Sequence, residues 1–266
     1  ADPNEFLKAV ENALQQTPCP FDELFSQEGS GITGGNYITG LLWALETLAW
    51  DEQFLVRVSV ILGELASHDP GGNWSNRPSN SLITIFLPWL PQTTASIEKR
   101  KVAIQTIKKE FPEVAWKLLL SLLPNQHQAS GGSNKPIFRK IIPEDWEKDV
   151  TQKEYWKQVS FYAEMVVDIV KHDVNKLSAF IGHLDNLPRP SFEEILKYLS
   201  SKDVSAMPEN ERVNIWTSLI EFTSKHKRYA TAKWALSPDI VTRIDEIVKT
   251  LAPTNPLNLH RRLFNG

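Results

Sequence analysis

Residue types that do nucleophilic, metal-ligating or phosphate-binding chemistry are few in this chain and widely spaced. The single cysteine, Cys19, lies between Pro18 and Pro20. A thiol nucleophile needs a base or cation beside it, and none adjoins Cys19 in the sequence. One cysteine also excludes an internal disulfide and a thiolate cluster within the chain, which fits a reducing compartment. The six histidines are His68, His127, His172, His183, His226 and His260. They include no His-Glu-x-x-His pair, and His172 with Asp168 is the only metal-like local pair in a predicted helix. It reads as a surface ion pair or hydrogen bond. No catalytic residue, metal ligand set or cofactor is therefore assigned.

Three further patterns invite chemistry. Gly29-Ser30-Gly31-Ile32-Thr33-Gly34-Gly35 suggests a phosphate loop but lacks the Gly-Lys-Ser/Thr ending and a preceding strand, so it reads as a connector. It fails the Gly-x-Ser-x-Gly elbow on the same structural ground. The carboxylate pairs Glu144-Asp145 and Glu193-Glu194 fall at predicted helix starts, where the helix dipole accounts for acidic residues. Lys225, Lys227, Arg228 and Lys233, interleaved with Tyr229 and Trp234, form the best basic-aromatic cluster, and His260-Arg261-Arg262 a second. These are the candidates for contact with a nucleic-acid backbone, against a solvated helix face as the default.

The run from His68 to Thr93 departs most from plain patterning. It holds Asp69-Pro70-Gly71-Gly72-Asn73-Trp74-Ser75-Asn76-Arg77-Pro78 and then Phe86-Leu87-Pro88-Trp89-Leu90-Pro91. Glycine admits positive φ and proline fixes its own, so Asp-Pro-Gly-Gly favours a tight turn. Pro88 is expected to kink or end a helix carrying Phe86 and Trp89. As a recognition loop, the run would present Trp74, Arg77, Asn73, Asn76 and Trp89 to a partner. As an interior fastener, it would tuck Trp74 between helices while Arg77 and the asparagines satisfy backbone groups. Asn73-Trp74-Ser75 is also a glycosylation sequon, relevant only in a secretory pathway.

The stretches Gly71-Gly72-Asn73-Trp74-x-Asn76-Arg77-Pro78-x-x-Ser81-Leu82, Phe86-Leu87-Pro88-Trp89-x-Pro91-Gln92-Thr93 and Glu113-Val114-Ala115-Trp116-Lys117-Leu118-Leu119 resemble a known type of helical region. It lies downstream of signalling-NTPase or other effector modules in large bacterial proteins of the STAND and NACHT-like type. The resemblance covers roughly residues 37–150. It implies a sensor or scaffold array within a much larger signalling or antiviral protein, with nucleotide hydrolysis elsewhere. It carries over no catalytic residue, because the chain has none of that ATPase's phosphate-loop residues.

The elements that must position these residues are helices. Apolar residues recur at three- and four-residue spacing, and strand signals are nearly absent. Leu7, Val10 and Leu14 mark a helix over about 4–16. Leu41, Leu42, Leu45 and Leu48 mark one over 37–50, and Leu55, Val58, Ile61, Leu62 and Leu65 one over 52–67. Further helices are predicted at about 80–90, 96–110 and 113–123, the last opened by Pro112. Residues 125–142 turn abruptly to small polar residues and glycine and read as a linker. Beyond it, a Thr151…Glu154 capping box opens a helix over 151–172 with Trp156, Val159, Tyr162, Ala163, Val166 and Ile169 inward. Helices at 174–184, 191–200 (a Ser191…Glu194 box), 208–226 and 238–251 (Ser237-Pro238) complete the set. No fixed-period repeat is present. The expected fold is all-α, with stacked antiparallel helical hairpins in an irregular α-solenoid-like array or bundle. The expected organisation is an N-terminal subdomain 1–124, a linker 125–142 and a C-terminal subdomain 143–266.

Composition sets the remaining bounds. The 266 residues suffice for one large or two ordinary domains, and 41% apolar with 23% charged residues is ordinary for a globular protein. No window nears the roughly 18 apolar residues that a membrane helix requires. Neither half is basic enough to imply nucleic acid by charge: residues 1–124 carry 9 Lys+Arg against 14 Asp+Glu, and residues 125–266 carry 20 against 18. The start Ala1-Asp2-Pro3, with no initiator methionine and no signal segment, reads as a junction, and the chain as a fragment. The leading expectation is a cytoplasmic, non-catalytic scaffold or sensor that binds a protein partner or adjacent domains of its parent chain. A nucleic-acid-binding domain comes second and a hydrolase with an unrecognised site third.

Overall fold

A computed structural model describes residues 2–25, 37–72, 75–124, 130–137, 140–144, 146, 150–255 and 258. Among them the chain is all-α, with thirteen α-helices and no strand. It divides into two compact units, one of residues 1–122 and 126–161, the other of 123–125 and 162–266. The stretch expected to be a linker thus belongs almost entirely to the first unit, and the division falls within a helix. No described helix is long and apolar enough to cross a membrane.

Unit 1 contains α1 (Pro3–Leu14), α2 (Pro20–Phe25), α3 (Ile38–Ala49), α4 (Leu55–His68), α5 (Pro78–Phe86), α6 (Ile97–Glu110) and α7 (Pro112–Leu122), with the first half of α8 (Gln152–Lys171). Helix α4 is its centre and packs on α1, α3, α5, α6 and α7. Its sequence explains why, since Leu55, Val58, Ile61, Leu62 and Leu65 are all essentially inaccessible. Ser59 is buried among them and returns its hydroxyl to the Leu55 carbonyl at 2.7 Å, which satisfies it without a distant partner. Helix α5 ends at Phe86 because Pro88 cannot continue it, so Trp89 lies outside the helix predicted to run to residue 90.

Unit 2 contains the second half of α8, α9 (Val174–Phe180) continuing as a 3-10 segment (Ile181–Asn186), α10 (Arg189–Leu199), α11 (Lys202–Ser205), α12 (Glu209–Arg228) and α13 (Pro238–Leu251). Helix α12 packs on α9, the 3-10 segment and α13. The Thr151–Glu154 capping box forms, with Glu154 N–H donating to Thr151 Oγ1 at 3.2 Å and Thr151 N–H to Glu154 Oε2 at 3.4 Å.

Three local expectations need correction. The Ser191–Glu194 box does not form, because α10 begins at Arg189 with Pro190 in its first turn, which leaves Ser191 buried inside the helix. Glu193 and Glu194 therefore pair with Arg243 and Lys171, not with a helix terminus. Trp156 is 47% exposed. The inward face of α8 begins two residues further on with Gln158 and Val159, where Gln158 Nε2 donates to the Phe86 carbonyl at 3.3 Å.

Candidate functional site

Glu46, on α3, ties two distant stretches of unit 1 together through its carboxylate. Its Oε1 accepts the Ser81 hydroxyl from α5 at 2.7 Å, and its Oε2 accepts the Asn134 backbone N–H at 3.1 Å and side-chain amide at 2.9 Å. Gln92 Oε1 accepts the neighbouring Ser133 N–H at 3.1 Å, and Trp50 Nε1–H donates to Ser133 Oγ at 3.1 Å. Lys135 Nζ lies 4.6 Å from the Trp146 ring centroid and 5.5 Å from that of Trp50, and the two indoles meet edge to face at 4.7 Å. A segment whose composition reads as a linker is thus strapped onto α3 and the loop after α5 by a carboxylate, an amide and two tryptophans. Charge-assisted hydrogen bonds and cation–π contacts together fix its path.

The strap builds a groove. Pro136, Ile137 and Ile141 form one wall, Pro3 and Phe6 of α1 another, and Ala44, Thr47 and Leu48 of α3 the floor, enclosing about 360 Å³. Asp2 and Asp51 stand at its edges. Ile137 is 86% exposed, an unusual position for an isoleucine on a segment this firmly held. Nearby on α3, Trp43 is also half exposed. Thr47 directs its hydroxyl back to the Trp43 carbonyl at 2.8 Å, so the groove floor offers methyl and methylene surface more than donors. A second cavity, about 610 Å³ in unit 2, lies between α10 and α13 and is crossed by the paired Arg243 and Glu193. Arg243 holds the Glu193 carboxyl below the usual carboxylate range through that hydrogen-bonded pair.

Of the partner-binding candidates in the loop after α4, Asn73 and Trp74 lie outside the described residues. Arg77 is turned inward, its Nη1 on Asp69 Oδ1, with both side chains largely covered. Gly71 N–H donates to the same Asp69 oxygen at 2.9 Å. Asn76 is exposed and donates to Thr39 Oγ1 at 3.3 Å, and Trp89 is 36% exposed beyond the end of α5. The loop thus places Arg77 in the fastener role, with Asn76 and Trp89 at the surface.

In the basic cluster of unit 2, Lys225 Nζ lies 5.0 Å from the Trp234 ring centroid and Lys227 Nζ 2.7 Å from Asp245 Oδ1 on α13. Arg228 and Lys233 are exposed. Between these residues, His226 is buried, accepts the Leu236 N–H on Nδ1 at 3.1 Å, and packs against Phe222 and Trp234. Burial lowers its pKa, Lys225 adds to the effect, and Asp185 opposes it. His172 Nδ1–H donates to the Asp168 backbone carbonyl at 2.8 Å, a local hydrogen bond at the C-terminal end of α8. The glycine stretch 29–35, His127, Asp145 and His260-Arg261-Arg262 lie outside the described residues.

The fold also assembles a group that sequence spacing conceals. Cys19, Asp22 and His68 bring a sulfur, a carboxylate oxygen and an imidazole nitrogen within 4.8 Å of one another. His68 Nδ1 is 2.9 Å from Asp22 Oδ1 across 46 positions of sequence. Only the Cys19–Asp22 spacing is local, and a three-residue offset with no third member nearby carries no signal by itself. Comparison with protein-family models, with curated proteins and with solved structures finds no match to this chain.

Proposed function

We propose that the chain is a non-catalytic helical scaffold or sensor segment of a larger multidomain protein, and that the groove of unit 1 receives an apolar segment of a protein partner or of another module of its parent chain. What supports this reading is the groove itself, in particular the 86% exposure of Ile137 on a strap held by Glu46, Gln92 and Trp50. Exposed apolar surface that is rigidly positioned costs little entropy on binding, which is the economy of a preorganised interface. Asp2 and Asp51 at the edges favour a partner with apolar anchors flanked by basic residues. The resemblance to helical regions of STAND and NACHT-like signalling proteins fits the same role. The nucleic-acid reading is weaker because Lys225 and Lys227 already engage Trp234 and Asp245.

The test is site-specific photocrosslinking in the parent protein within its own cells, with the photoreactive side chain at position 137 and a control at exposed Lys202. The expected result is a discrete adduct from position 137, to a partner or to another module of the chain, that disappears with Phe6→Asp while the circular-dichroism melt is retained. Identical adducts from both positions, or an adduct indifferent to Phe6→Asp, would reject the groove as the contact surface.

A further inference from the structure

We propose that Cys19, Asp22 and His68 bind one thiophilic divalent cation of the zinc class, tying the α1–α2 junction to the C-terminal end of α4. The three donor atoms lie within 4.8 Å of one another. In four-coordinate zinc sites, bonds of about 2.0–2.3 Å set donors roughly 3.3–3.7 Å apart, so closure on an ion needs shifts of about an ångström or less. His68 Nδ1 and Asp22 Oδ1, now at 2.9 Å, would separate slightly as the ion replaces their hydrogen bond.

The placement of the three residues suits an ion that enters from solvent. Cys19 precedes α2, Asp22 stands in its first turn, and His68 is the last residue of α4. The sulfur is on the inside, Cys19 being 5% exposed, while the Asp22 and His68 side chains are 50% and 31% exposed. A fourth coordination position therefore faces water. Ligation transfers the thiol proton to solvent and forms a metal–sulfur bond. The Nδ1 proton of His68 moves by way of water to Nε2, so that the Nδ1 lone pair binds the ion. Thiolate and carboxylate together balance the double charge of the ion. Imidazole and thiolate favour borderline ions such as Zn²⁺ or Co²⁺ over Mg²⁺ and Ca²⁺, which require oxygen donors. The residue after His68 is Asp69, which holds both Gly71 N–H and Arg77, so an ion on His68 would anchor the loop at its root.

The experiment titrates Co²⁺ alone into the reduced, metal-stripped full chain. One ion per chain is expected, with a near-ultraviolet thiolate-to-cobalt band, the intense visible bands of four-coordinate cobalt, and displacement by Zn²⁺ but not Mg²⁺. Cys19→Ser should remove the charge-transfer band, and His68→Gln and Asp22→Asn should each weaken binding by about tenfold or more. A measurement on the unmodified chain guards against misfolded variants: Zn²⁺ should slow alkylation of Cys19 by about tenfold or more, and Mg²⁺ should not. The proposal fails if the folded chain gives no thiolate-to-cobalt band at millimolar cobalt. It fails equally if binding is unchanged in both His68→Gln and Asp22→Asn, or if Zn²⁺ leaves the alkylation rate unaltered.

Discussion

The ring of Phe111 occupies the space that a Cβ on Gly63 would need, its Cδ2 lying 2.7 Å from that position. Gly63 sits in the buried interior of α4, and Phe111 lies at the junction of α6 and α7. The glycine is therefore a seat for the ring that closes two helices onto the central one. Gly63→Ala would gain up to about 1 kcal/mol of helix propensity. Against this, overpacking a seated aromatic ring costs about 1–3 kcal/mol, so net destabilisation is expected. Denaturant unfolding of Gly63→Ala checks it, and Gly63→Val should be worse. An unchanged or raised midpoint for the alanine variant would mean that the ring moves freely.

His226 makes stability depend on pH. Its Nδ1 accepts the Leu236 N–H, so Nε2 carries the proton of the neutral ring, and burial lowers the pKa from its ordinary value near 6.5. The unfolded chain thus binds a proton more readily than the folded one. The contribution is fully present above the unfolded value, near pH 6.5, and is lost as pH falls from there through the folded value. Urea midpoints measured from pH 8 to about 5 should decline more steeply for the wild type than for His226→Gln, whose side chain does not titrate. Parallel curves would remove His226 from this role.

Glu46 should govern the strap and leave the core alone. Glu46→Ala removes the acceptor for Ser81 and for both Asn134 donors. Exposed strap atoms can turn to water, so the expected cost is local, about 1–3 kcal/mol. Hydrogen exchange should accelerate at the Ser133 and Asn134 amides while those of α4 keep their protection. If α4 loosens to the same degree, Glu46 holds the unit as a whole.

The fold was legible where periodicity and stop signals agree and illegible where partners are distant. Leu55, Val58, Ile61, Leu62 and Leu65 announce α4, Pro88 ends the preceding helix, and Thr151 with Glu154 opens α8, because each acts within a few residues of itself. Ser191 and Glu194 matched a capping box by spacing, yet Pro190 let the helix start earlier. Residues 130–137 look like a linker because their hydrogen bonds go to Glu46, Gln92 and Trp50, far away in sequence. Cys19 and His68 were both visible, but their meeting depends on how α2 lies against the end of α4. Short helices such as α2 and α11 carry too few turns for a pattern to emerge.

Arg57 and Glu11 offer a measurable link between α4 and α1. The guanidinium meets the carboxylate through two hydrogen bonds, Nε to Oε1 at 2.6 Å and Nη2 to Oε2 at 2.7 Å. The pair holds the Glu11 carboxyl below its usual value. With about a third of each side chain exposed, solvent screening limits the coupling to roughly 0.3–1 kcal/mol. Because the folded pKa is depressed, this contribution is present above the unfolded carboxylate value and lost as pH falls through the folded one. A double-mutant cycle with Glu11→Gln and Arg57→Met should show the coupling at pH 7, less at high salt, and progressively less as acid protonates Glu11.

Gly72 and Arg77 should prove coupled in a way that Gly71 and Arg77 are not. Both glycines have positive φ, 82° and 136°, so an L side chain strains either position. Around Gly71 an added Cβ meets no described atom within 4 Å, whereas at Gly72 it would lie 2.5 Å from Arg77 Nη2. Arginine can swing aside, but only by leaving the Asp69 carboxylate that its Nη1 engages. Gly72→Ala should therefore carry both backbone strain and the loss of the clamp, and Gly71→Ala the strain alone. In an Arg77→Met background the second penalty has nothing left to remove. Unfolding midpoints should then show a coupling of about 0.5–2 kcal/mol between Gly72→Ala and Arg77→Met, and near-additivity between Gly71→Ala and Arg77→Met. Additivity in both pairs would mean that the clamp contributes little to stability, which would return Arg77 to the list of residues free to meet a partner.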